Sequence, residues 1–106
     1  MTRMAAGPVR TDHPNYASHR AAPPGYWLRR GVRTALAELD HAEVDQATAH
    51  LLDLVLRDAL ALTAATGDTC RFLPAISAVR QARTALRSGE VRQARDALAA
   101  AGTALG

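Results

Sequence analysis

The sequence predicts an all-α protein: a small antiparallel four-helix bundle, built as two helical hairpins, behind a disordered N-terminal tail. Three observations predict it. Alanine occurs 24 times, leucine 13 times, and all 13 basic residues are arginine; these are strong helix formers. Aromatics make up only 4% of the chain and β-branched residues are few, whereas a sheet needs both to fill its pleated faces. From Tyr26 onward, apolar residues recur at 3.6-residue spacing.

Residues 1–24 read as the tail. They hold Pro8, Pro14, Pro23 and Pro24 with Gly7, Asn15 and Ser18, show no periodicity, and offer too little apolar surface to offset the entropy of ordering them. Residues 25–106 then form the single bundle domain that this length allows. The first helix is expected over roughly 25–39, with Leu28, Val32, Ala35, Leu36 and Leu39 on one face and Arg29, Arg30 and Arg33 opposite.

Asp40-His41-Ala42-Glu43 fits a capping box, so the second helix is expected to start near 41 and to stop before Gly67, a good left-handed C-terminal position. Its apolar set is broad: Val44, Ala47, Leu51, Leu52, Leu54, Val55, Ala59 and Leu62 cover well over half the circumference, leaving Gln46, His50, Asp53 and Arg57 as the polar stripe. A helix so widely apolar is either central or lends a face to another subunit.

The third helix is expected from Pro74, a residue suited to a first turn, to Arg87. Ala75, Ile76, Val79, Ala82 and Leu86 form its buried face, and Ser88-Gly89 ends it. The fourth runs from Glu90 to about Ala104, where Val91, Ala94, Leu98, Ala101 and Leu105 keep a 3,4,3,4 spacing with small residues at alternate seam positions.

The two hairpins echo each other. Arg33-Thr34-Ala35-Leu36 precedes Glu43-Val44-x-Gln46-Ala47-x-x-x-Leu51, and Arg83-Thr84-Ala85-Leu86 precedes Glu90-Val91-x-Gln93-Ala94-x-x-x-Leu98. The second hairpin reads Ala-x-x-Ala-Leu-x-x-Gly-Glu-x-x-x-Ala-x-x-Ala-Leu within residues 82–100, which resembles the turn region of tetratricopeptide-type repeats. The resemblance covers under a fifth of the chain, and the family's Trp, Leu-Gly and Tyr positions are not matched upstream. It is read as shared hairpin physics.

Charge is segregated. Residues 1–33 carry six Arg and one Asp, residues 34–68 one Arg and seven acids, and residues 69–106 six Arg and two acids, which gives +5, −6 and +4 and the overall +3. Internal complementarity explains this most economically: the arginines of the flanking helices pack beside the acids of the second. Asp53 and Arg57 also stand at i,i+4 in the favourable order.

Few residues suggest chemistry. His13, His19, His41 and His50 do not pair at metal-ligand spacing, and there is no phosphate-binding glycine loop or nucleophile–base constellation. No catalytic residue, metal or cofactor is expected. Cys70 is the only cysteine, so no intrachain disulfide forms. No apolar run approaches the ~20 residues of a membrane span and no leader-type apolar segment opens the chain, so a cytoplasmic protein is expected. Tyr26, Trp27 and Leu28 beside Arg29, Arg30 and Arg33 are read as a helix anchored in the core with wet arginines, not as a membrane-surface segment.

One carboxylate breaks the pattern. By helical angle Asp58 falls between Leu51, Leu54 and Leu62. Burial there demands a partner: Arg71 or Arg83 of the same chain, or an arginine across an interface; otherwise Asp58 is a site residue or is exposed near the helix end.

The expected function is that of a non-enzymatic protein–protein interaction module, an adaptor or regulatory subunit, forming a homodimer or holding a protein partner. The interface candidates are Leu52, Leu56 and Asp58 on the second helix and Val91, Ala94, Leu98 and Ala101 on the fourth. The alternative is a small nucleic-acid-binding regulator using Arg80, Arg83, Arg87, Arg92 and Arg95 against phosphates.

Overall fold

The computed structural model describes residues 22–41 and 43–106. Most of the expected disordered tail lies outside those residues. The described chain forms four α-helices: α1 (Tyr26–Leu39), α2 (Gln46–Ala65), α3 (Leu73–Arg87) and α4 (Val91–Leu105), with a single 3-10 turn at Thr69–Phe72 before α3. They pack as an antiparallel bundle in which α1 touches α2 and α4, and α3 touches α2 and α4. The ring therefore closes through α1 and α4, and none of the described helices is central.

Each helix feeds the core from one stripe. Leu28, Val32, Ala35 and Leu39 come from α1, Ala49, Leu52, Leu56 and Ala59 from α2, Ala75, Ile76, Val79, Ala82, Ala85 and Leu86 from α3, and Ala94, Leu98, Ala101 and Leu105 from α4. Nearly half of these are alanines, so the helix axes can approach closely. At the α1–α2 contact even alanine is too large: a Cβ on Gly31 would stand 2.7 Å from the Ala59 Cβ.

The ends of α2 and α3 follow the glycines. Gly67 and Gly89 sit at φ +81° and +75°, the left-handed region that an L side chain enters only at a cost. At each, the glycine and the residue after it donate back into the last turn: Gly67 N–H to Ala64 and Asp68 N–H to Thr63, Gly89 N–H to Leu86 and Glu90 N–H to Ala85. This is the double-bonded Schellman ending.

The start of α2 differs from expectation. Asp40 is not its cap. Asp40 continues the last turn of α1 in right-handed helical geometry and donates its N–H to the Leu36 carbonyl, whereas a capping residue must be extended. Asp45 is extended (φ −83°, ψ 177°) and accepts the Thr48 N–H at 2.8 Å. Two aspartates compete for the role, and the later one starts the helix.

Candidate interaction surface

The side chains of α2 divide into two arcs. The inner arc carries Ala49, Leu52, Asp53, Leu56, Ala59 and Thr63, all buried. The outer arc, about 120° wide at 3.6 residues per turn, carries Ala47, Leu51, Leu54, Val55, Asp58, Ala61, Leu62 and Ala65. Seven of these eight are apolar. Leu51 keeps 60% of its surface exposed, Ala47, Ala61 and Ala65 are also exposed, and Leu54, Val55 and Leu62 are half-buried. The half-buried side chains that pack on the core come from elsewhere: Leu36, Val44, Leu60, Phe72, Ala78, Val91 and Ala97. α2 is thus apolar on two sides, and the bundle uses one.

This arrangement relocates several expected residues. Leu52 and Leu56 are in the core, as are Ala94, Leu98 and Ala101 of α4, the last three with no exposed surface; Val91 is half-buried against it. The small-residue seam of α4 is therefore consumed within one chain, where it lets α4 lie close to its neighbours. Asp58 does lie among Leu51, Leu54 and Leu62, but their face looks outward. Its side chain is 65% exposed and, among the described residues, pairs with its neighbour Arg57, at 3.3 Å, not with Arg71 or Arg83.

The buried carboxylate is Asp53, which the sequence pattern assigns to a polar stripe. It is 6% exposed and accepts from Arg83 Nε at 2.6 Å, with Arg87 Nη1 at 3.7 Å. The expected Asp53–Arg57 pair is absent because Arg57 lies on the solvent side with Asp58. The signal for Asp53 was present in the sequence: an acidic second helix followed by an arginine stripe on the third.

The five arginines expected at a phosphate-contacting surface differ in their surroundings. Arg83 is held by Asp53. Arg95 donates from Nη2 to the Leu39 carbonyl at 2.6 Å and stands 3.3 Å from the Asp40 carboxylate. Arg87 is half-exposed and near Asp53. Among the described residues, no ion pair is formed by Arg80 or Arg92, both exposed.

The α1 cluster is also divided. Leu28 is fully buried. Arg29 donates to the carbonyls of Pro24 and Leu105, each at 2.7 Å, while Arg30 reaches the Tyr26 hydroxyl at 3.3 Å and Arg33 is exposed. A groove of about 250 Å³ is lined by Arg29 and Arg33 together with Val32, Leu36 and Leu105.

Among the described residues, no group of three or more His, Cys, Asp or Glu is placed to hold a metal ion, and no helix is long and apolar enough to cross a membrane. No family model, curated protein or solved structure matches this chain.

Proposed function

We propose that this chain is a non-enzymatic protein–protein interaction module, an adaptor or regulatory subunit, that docks through the outer arc of α2 and associates with itself. One observation carries the reading: an apolar stripe, led by Leu51 at 60% exposure and broken only by Asp58, runs the length of a helix whose opposite side already supplies the core. Leaving such a stripe in water forfeits the burial that holds interfaces together. A helix needs only one apolar face to join a bundle, so a second calls for a second surface.

The test is Leu51→Glu. The site is exposed, so helical content and thermal unfolding should stay close to wild type. Association measured by light scattering, and capture of any protein partner, should be lost. An unchanged mass and unchanged capture would remove the outer arc from consideration.

The nucleic-acid alternative would draw on Arg80, Arg87 and Arg92, the more exposed members of the stripe. A gel shift at low salt separates it from the docking reading, because phosphate contacts weaken steeply as salt rises.

A further inference from the structure

The outer arc of α2 is graded along its length. Its first half carries Leu51, Leu54 and Val55 after Ala47 in the first turn, and its second half carries Ala61 and Ala65 with Leu62. Asp58 is the midpoint, with Leu51 seven positions before it and Ala65 seven after.

We infer that this arc pairs with the same arc of a second copy, antiparallel, about a two-fold axis through Asp58. The inference rests on the docking reading above and names its partner. Such an axis sets Leu51 opposite Ala65 of the second copy, Val55 opposite Ala61, and Leu54 opposite Leu62. Leu51 and Val55 then meet alanines, as interdigitated helix packing requires, Leu54 and Leu62 form an apolar pair on each side of the axis, and the patch is self-complementary, as a two-fold interface must be. Parallel pairing would crowd the leucines at one end and leave the alanines apart at the other.

Charge agrees with size. Arg57 and Asp58 are both exposed and adjacent, at 58% and 65%. The axis places each Arg57 beside the Asp58 of the other copy, so the two carboxylates that approach each other at the centre are met by two guanidiniums. The sole polar break in the stripe thereby becomes a register mark.

The internal echo supplies a third argument. Ala47 and Leu51 correspond to Ala94 and Leu98, and in α4 that pair is wholly buried between helices. The same string already serves this chain as a helix-packing face. One helix against one helix buries less than a standard interface, so the dimer is a weak one that shows at high protein concentration.

The experiment is a charge exchange read by sedimentation velocity, with circular dichroism confirming that each variant folds. Wild type dimerises. R57D places four negative groups at the axis and D58R four positive ones, so each alone weakens the dimer by about tenfold or more. Their equimolar mixture forms a heterodimer, and the double variant R57D/D58R dimerises again.

Register is read separately in a Cys70→Ser background. Leu51→Cys and Ala65→Cys cross-link when mixed but not alone. Self-cross-linking of Leu51→Cys, or no recovery in the charge-exchange mixture, overturns the antiparallel axis. Wild type that stays monomeric at about 1 mM, where even a very weak pair would be populated, overturns self-pairing altogether. If capture of a different protein still depends on Leu51 in that case, the docking reading stands alone; if it does not, both fall.

Discussion

Arg83 closes over Asp53, its Nε 2.6 Å from the carboxylate, and ties α3 to α2 at a point where only 6% of the aspartate remains exposed. A buried ion pair is weak evidence of net stability, but removing one partner strands the other. Asp53→Ala should therefore destabilise the protein by about 2–3 kcal/mol, less than a fully enclosed pair because Arg83 keeps 22% of its side chain in solvent. The double variant Asp53→Leu/Arg83→Met should recover most of that loss. Chemical denaturation of the two single variants and the double one measures the coupling. A single variant no worse than the double would mean that the pair does not act as a unit.

The same pair shows where the sequence stops being legible. α1, α3 and α4 each have a single apolar stripe, and periodicity alone identifies the inward residues Leu28, Val32, Val79, Leu86, Leu98 and Ala101. α2 has two apolar faces, and periodicity cannot choose between them. The choice depends on facts outside the helix: Gly31 on α1 admits only a small residue opposite, which Ala59 provides, and Arg83 on α3 offers a partner to Asp53. Those long-range pairings turn inward the face that holds an aspartate and turn outward the one that holds Leu51. The start of α2 was ambiguous for a related reason. Asp40 and Asp45 have equal capping ability, and Asp40 is taken up by the last turn of α1 and by Arg95. The wide apolar circumference of α2 was readable from the beginning; which of its residues meet water was not.

Gly31 gives a prediction that opposes intrinsic propensity. Alanine in place of a mid-helix glycine should stabilise by about 1 kcal/mol on helix preference alone. Here the new Cβ would meet the Ala59 Cβ at 2.7 Å. An alanine methyl cannot swing aside, so α1 and α2 must separate, and overpacking costs about 1–3 kcal/mol. Gly31→Ala should lower Tm by roughly 5 °C. Ala59→Gly alone should also lower it, through lost packing and helix preference. The double variant, which moves the methyl from one helix to the other, should return near wild type. A rise in Tm for Gly31→Ala would show that the contact yields without penalty.

Arg29 and Arg95 hold the α1–α4 pair from opposite ends. Each stands near the start of its own helix and donates from Nη2 to the last carbonyl of the other: Arg29 to Leu105 at 2.7 Å, Arg95 to Leu39 at 2.6 Å. Terminal carbonyls have no partner within their helix, and a cation there also meets the negative end of the helix dipole. Arg29→Ala and Arg95→Ala should each cost about 1 kcal/mol. The two losses should add to within roughly 0.5 kcal/mol, because the sites do not share a partner. Amide exchange would locate them: Arg95→Ala should quicken exchange in the last turn of α1, and Arg29→Ala in that of α4. Uniform acceleration across both helices would argue against separate clamps.

The cap of α2 gives the fold a predictable response to acid. The Thr48 backbone N–H, donating to Asp45 at 2.8 Å, holds the Asp45 carboxyl below its ordinary value of 3.8. A group whose folded pKa is lowered favours the folded state while ionised in both states, so its contribution is complete above 3.8. It declines as the pH falls toward the folded value, once the unfolded chain takes up the proton first. Asparagine caps a helix about as well as aspartate but does not ionise in this range. Asp45→Asn should therefore retain the start of α2, which Asp45→Ala should fray. The difference in Tm between wild type and Asp45→Asn should be constant from about pH 7 to about pH 5 and shift against wild type as the pH falls through and below the ordinary value of 3.8. The two proteins differ in this one group, so the difference isolates it. Parallel melting curves across that fall in pH would mean that the Thr48 N–H does not discriminate between the two forms of the carboxyl.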